Sequence, residues 1–138
     1  MGAQENMQVV KEGYAAFSRG DMPGLLAQLS QDIEWYSPGT GLPLSGTYRG
    51  HAGVSSFFQK LAQEAEILDF RPLEFIAEGD RVIVVGRERA KIRATNRTVD
   101  LDWIMSFTLR NGKVAVFREY TDTKALADAY ESSAAAAG

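Results

Sequence analysis

Between Ile67 and Asp122 the chain reads as four strands in succession. They run Ile67 to Glu78, Arg81 to Arg93, Arg97 to Leu109 and Lys113 to Asp122, with only "GD", "ATN" and "RNG" between them. Connections this short can join only antiparallel neighbours, so this half of the chain is a meander. What precedes it is helical. Val10, Tyr14 and Phe17 fall at helical spacing, and Gly20 stops that helix. Asp21 can cap a short second helix with Pro23 in its first turn and Leu25, Leu26 and Leu29 on its apolar face. "DIEWYSP", Asp32 to Pro38, reads as a short strand ended by proline, and "GTGLPLSGTYRG" as a loop. Val54, Phe57, Phe58, Leu61 and Ala65 form a helical stripe that predicts a third helix starting near His51. A short helix from Lys124 to Tyr130 can close the end. Helices first and strands afterwards argue for an α+β fold, with three N-terminal helices over one face of a curved, mostly antiparallel sheet.

Composition removes whole classes of function. A net charge of −3 without a basic block excludes a nucleic-acid footprint. With no cysteine there is neither a disulfide nor a thiolate nucleophile, and a single histidine predicts no metal site. No apolar run approaches the ~18 residues of a membrane span, and no basic, then apolar, leader is visible at the N-terminus. A cytoplasmic protein that neither binds nucleic acid nor enters a membrane is expected. The 138 residues suffice for one domain, placed at 1–130, and the final "SSAAAAG" predicts a frayed tail over 131–138.

The turns decide which side chains meet, because a shift of one residue swaps the faces of a strand. In "LRNGKV" a two-residue Asn-Gly turn would pair Arg110 with Lys113 and put Trp103, Met105, Phe107 and Leu109 beside Val114, Val116 and Arg118. A three-residue turn would pair Leu109 with Lys113 and put the same row beside Ala115, Phe117, Glu119 and Thr121. At the preceding hairpin, a two-residue turn at Thr95-Asn96 would set Glu88 opposite Trp103. With the three-residue turn, Glu88, Trp103 and Glu119 would form one row across three strands.

The order "VVKEGYAAFSRGDMPGLLAQLSQDIEWYSPG", "LSGTYRGHAGVSSFF", "EGDRVIVVGRERA", "SFTLRNGKVAVFREYTDT" resembles the nuclear transport factor 2-like superfamily, in particular SnoaL-like and ketosteroid-isomerase-related proteins. The likeness covers residues ~6–130, and it implies a cone-shaped roll with a single pocket between helices and sheet, often assembled as a homodimer through the outer sheet face. It also implies cofactor-free acid–base chemistry of the cyclase, isomerase, dehydratase or epoxide hydrolase type, on an apolar oxygenated substrate. The alternative is a non-catalytic ligand-binding or dimerisation domain. The tyrosine and base of ketosteroid isomerases fall on Gly13 and Ser37, and the acid near Met105, or on Ile104 if the turn is read without a gap, so a standard isomerase is not expected. Limonene-epoxide-hydrolase-like proteins carry two pocket carboxylates, one resembling Glu119 in "FREY" and the other Glu88, although their bridging arginine falls on Gly86. This second likeness also places Trp103 in the pocket and favours the three-residue turn.

Glu119 and Glu88 are therefore the candidate catalytic residues. A carboxyl on an apolar, helix-covered face has its pKa raised into the range of a general acid or base. The competing reading makes both solvated partners of neighbouring arginines such as Arg87 and Arg118. Trp35, Ser37, Trp103, Met105, Phe117, Phe17, Tyr14 and Phe58 are expected to contact a small apolar organic ligand, since an open cone is lined by residues that would otherwise fill it. Asp122 is expected to cap the last helix rather than face the pocket, and Asp100 and Asp102 to face outward.

Overall fold

The computed structural model describes residues 2–131; all but the first residue of the expected tail lies outside them. Helices α1 (Ala3–Ser18), α2 (Met22–Ala27) and α3 (Gly50–Glu64) pack on a sheet of strands β1 (Leu29–Ser37), β2 (Gly46–Arg49), β3 (Ala65–Glu78), β4 (Arg81–Ile92), β5 (Arg97–Arg110) and β6 (Lys113–Thr121). A last helix, α4 (Thr123–Ala129), follows. The expected α+β class holds. The segment read as one loop before α3 differs, because Gly46–Arg49 pairs with β1 and adds an edge strand.

The strand order is β2-β1-β6-β5-β4-β3. Every pairing is antiparallel except β1 with β6. That one parallel contact needs a long crossover, and the whole of α3 and the meander supply it. The cap signals act as the sequence implies: Asp21 accepts a hydrogen bond from the Gly24 N–H at 2.9 Å, and Asp122 accepts one from Ala125 N–H at 2.9 Å. Val10 and Ala16 of α1 and Val54 and Phe57 of α3 are buried against Val82, Val84, Met105, Phe107 and Phe117 on the concave face. A second cluster of Ala65, Ala90, Ile92, Val99 and Leu101 lies under Ala129 of α4. No helix of the described residues is long and apolar enough to cross a membrane.

Both expected hairpin registers are corrected. The Asn111-Gly112 turn has two residues, with Arg110 opposite Lys113, and both central residues are left-handed, at φ 53° and 75°. The three-residue turn is absent, yet the predicted face survives. A β-bulge follows at once: Leu109 pairs with Val114, but Thr108 pairs with Val116, which leaves Ala115 as the extra residue. Val114 and Ala115 are consecutive and both buried. From there Phe117, Glu119 and Thr121 point inward opposite Phe107, Met105 and Trp103. At the other hairpin Ile92 pairs with Arg97 across a four-residue loop, closed by Asn96 N–H donating to Ile92 O at 2.7 Å. Glu88 consequently faces Leu101, and Trp103 faces Gly86. The row Glu88–Trp103–Glu119 does not form.

Candidate active site

The concave face of the sheet and the helices enclose a cavity of about 150 Å³. Glu88 reaches it from β4 and Glu119 from β6, with β5 between them. Their β5 partners, Leu101 and Met105, are four residues apart. On a flat sheet that offset would be about 13 Å along the strands and about 10 Å across them. Curvature brings both carboxyls to one cavity, close enough for Glu88's charge to act on Glu119.

The wall around them is almost wholly apolar. Trp35 stacks on Phe117 at 3.8 Å between ring centres, and Phe57 and Phe58 of α3 pack against Trp35 at 5.7 and 5.5 Å. Phe17 of α1 meets Phe58 at 5.9 Å and Phe70 at 5.1 Å. Tyr14 donates its hydroxyl to the Met105 sulfur at 3.1 Å, directly across the ladder from Glu119. Burial pushes the Tyr14 phenol far above its ordinary range, and the Glu119 charge adds to this, so Tyr14 is a neutral donor. Ser37, near the end of β1, lines the cavity on the strand next to Glu119.

The electrostatics follow from that wall. Glu119 is pushed up to about 8, by burial first and by the charge of Glu88 second. Burial alone pushes Glu88 up to about 7. The arginines that could have neutralised them are engaged outside: Arg87 with Asp102 at 3.2 Å, and Arg118 over the Tyr36 ring at 4.1 Å with its Nε donating to Tyr120. Arg89 likewise pairs with Asp100 at 2.8 Å. Among the described residues neither carboxyl has a hydrogen-bond partner. Both carboxyls therefore titrate near neutrality rather than in the ordinary carboxylate range.

Of the residues named from sequence, Glu88, Glu119, Trp35, Ser37, Met105, Phe117, Phe17, Tyr14 and Phe58 line the cavity. Trp103 does not. It is 1% exposed and lies behind the wall, stacked on Phe70 at 5.1 Å and flat over Gly86. A Cβ on Gly86 would come within 2.3 Å of the Trp103 ring and 2.5 Å of the Arg71 carbonyl oxygen, so this strand position admits only glycine. The position where the resemblance implied a bridging arginine is thus occupied by an indole. Sequence reasoning missed the far end of the cavity, closed by Leu126 of α4 and by Tyr130. Burial, and then Glu64, raise the Tyr130 phenol to about 12. The apolar Leu126 so soon after the capping Asp122 was the available signal. His51 stays apart from the site, with Nε2 3.0 Å from Leu29 O.

Comparison with known proteins places this architecture. The model of the SnoaL-like domain matches residues 10–117, and the chain belongs to that family, on the NTF2-like fold. An NTF2-like protein from Burkholderia xenovorans LB400 is 48% identical, with 95% of this chain and 99% of that one covered and a TM-score of 0.87. TerC, co-crystallised with polyporic acid, is 34% identical over 93% of this chain and 99% of its own, at a TM-score of 0.84. An NTF2-like protein from Burkholderia thailandensis E264 is 30% identical, over 91% and 97%, at 0.85. No curated protein matches the chain significantly.

Proposed function

We propose that the cavity performs cofactor-free proton transfer on an apolar, oxygenated organic substrate. The observation that carries this reading is the pair of carboxyls, Glu88 at about 7 and Glu119 at about 8, facing one apolar cavity without a cation between them. Two carboxyls whose environments separate their pKa values assign themselves to base and acid. Glu88, the stronger acid of the two, is the one that loses its proton first and takes a proton from substrate carbon. Glu119, still protonated, donates to the oxygen that becomes negative. Tyr14, neutral and adjacent, offers a second donor to that oxygen. Such a pair serves enolisation, aldol-type cyclisation or dehydration, and with a water between the carboxyls it also serves epoxide opening. Polyporic acid in TerC supports an oxygenated organic ligand for this chain as well.

A second reading, ligand binding without turnover, is favoured by one observation: no described side chain orients either carboxyl. A domain with a filled cone fits poorly with an open cavity of about 150 Å³. Epoxide and polyketide-like substrates presented to the wild type, Glu119→Gln and Glu88→Gln separate the readings. The proposal expects turnover by wild type and a loss of roughly 100-fold or more in each variant. Absence of turnover by wild type, with ligands bound equally by all three proteins, removes the enzyme reading.

A further inference from the structure

Beside the inner cavity lies an open groove of about 310 Å³ between the α1–α2 corner and the end of α3. Phe17, Leu25, Phe58, Leu61, Ala65 and Ile67 belong to the walls of both. A single layer of side chains therefore separates them, and Phe17 and Phe58, 5.9 Å apart, stand in that layer on two different helices.

The groove carries two charged residues, Asp21 and Arg93. Asp21 is already committed. Its carboxylate caps α2 through Gly24 N–H at 2.9 Å and meets Arg19 at 3.2 Å, and the cap holds its pKa below the ordinary value. Arg93 is placed by its backbone rather than by an acid. Its N–H donates to Glu64 O at 2.9 Å and its Nε to Ala62 O at 2.9 Å, both at the C-terminal end of α3. The side chain is thereby anchored at Nε, and among the described residues no carboxylate pairs with it. A guanidinium held on one side by a carbonyl keeps its outer N–H groups for a planar oxyanion.

We propose that the groove is the outer half of the ligand site, and that the ligand is an amphipathic carboxylate. Its apolar, oxygenated body occupies the inner cavity, an apolar tether crosses the shared wall as the contacting rings of Phe17 and Phe58 rotate apart, and its carboxylate meets Arg93. The ligand class thus follows from the two lobes together: the inner one has donors and no fixed charge of positive sign, and the outer one has the cation. This rests on the inner cavity being a ligand site and is independent of whether that site is catalytic.

The test is a length series. ω-Phenylalkanoates with two to ten methylenes, and their methyl esters, are titrated against wild type, Arg93→Gln and Arg93→Lys, with intrinsic tryptophan fluorescence as the readout. Short members are expected to bind all three proteins alike. From the length that spans both lobes onward, Arg93→Gln weakens the carboxylates by roughly fivefold, as suits a solvent-exposed ion pair, and leaves the esters unchanged; Arg93→Lys restores part of the loss. Arg93 indifference at every length overturns the proposal. So does an equal loss for esters and acids, which would mean that Arg93 merely holds α3. A second variant, Ala62→Trp, fills the groove and is expected to weaken the long members while sparing the short ones. Failure of all probes to bind wild type would instead remove the inner cavity as a ligand site, an outcome distinct from Arg93 indifference.

Discussion

Replacing Glu119 by glutamine tests the electrostatics of the site without any substrate. In an unfolded chain the carboxyl titrates at its ordinary 4.5; in the fold it titrates at about 8. The folded protein therefore keeps a proton that the unfolded chain releases. Stability falls as pH rises from about 4.5 to about 8 and is level above that. At about 1.4 kcal/mol for each pH unit, the interval from 4.5 to about 8 amounts to about 5 kcal/mol of cost for the ionised form. Glutamine has the same shape and never ionises. At pH 5 the two proteins are expected to unfold within about 1 kcal/mol of each other, because wild-type Glu119 is neutral in the fold there. At pH 9 the variant is expected to be the more stable by up to about 5 kcal/mol, roughly 15 °C in Tm for a chain of this size. Glu88 remains in both proteins and loses its proton before Glu119 does, so the difference curve isolates Glu119. Thermal melts at half-unit pH intervals measure this. A Tm difference that is the same at pH 5 and pH 9 would refute the reasoning, for it would mean that Glu119 is solvated or ion-paired.

The remaining predictions are brief. Gly86→Ala drives a methyl into the Trp103 ring and the Arg71 carbonyl; a loss of about 3 kcal/mol in urea unfolding is expected, and an unchanged midpoint would contradict the close approach. Quenching of tryptophan fluorescence by a bound ligand is expected to survive Trp103→Phe and to fall sharply in Trp35→Phe, since only Trp35 lines the cavity. The outer sheet face exposes Leu73, Ile76, Ile104 and Tyr120. If a second copy of the chain covers it, sedimentation of Ile104→Glu shows half the wild-type mass, and equal masses exclude this face.

Much of the architecture was legible because each element carries its own local signal. The Val54–Ala65 stripe, the capping aspartates at 21 and 122 and the turn residues act within a few positions of themselves. The registers were not legible, and the reason is physical. Asn-Gly dictated a two-residue turn, as turn chemistry alone would say, but the placement of Ala115 depends on packing between β6 and its neighbours and leaves no mark in composition. The expected face of Glu119 was right although the expected turn was wrong. The ATN hairpin shows the converse. Its loop holds four residues, with Thr95 Oγ1 donating to Ala129 O at 2.6 Å, a tertiary contact invisible at the level of the loop. That difference moved Trp103 away from Glu88 and behind the cavity wall. Glu88 alternates with basic residues on β4, but it shares its face with Val82, Val84, Ala90 and Ile92, so the strand's own alternation already marks it as inward.

Ala115 makes the site a matter of counting. The chemistry of β6 is spelled by its letters, but whether that chemistry is shown to the cavity or to the solvent depends on whether one residue upstream is bulged or paired. Bulged, Ala115 leaves Phe117, Glu119 and Thr121 facing the cavity; paired regularly with Thr108 it would turn Val116, Arg118 and Tyr120 inward instead. Its deletion, by contrast, would keep Val116 opposite Thr108 and leave the face of Glu119 unchanged. The same letters of β6 can therefore present either of two inner surfaces, according to whether Ala115 is bulged or paired, without altering any residue that touches a ligand. An alignment column that matches Glu119 in another chain carries functional weight only when the strand pairing behind that chain's hairpin turn puts it on the same face.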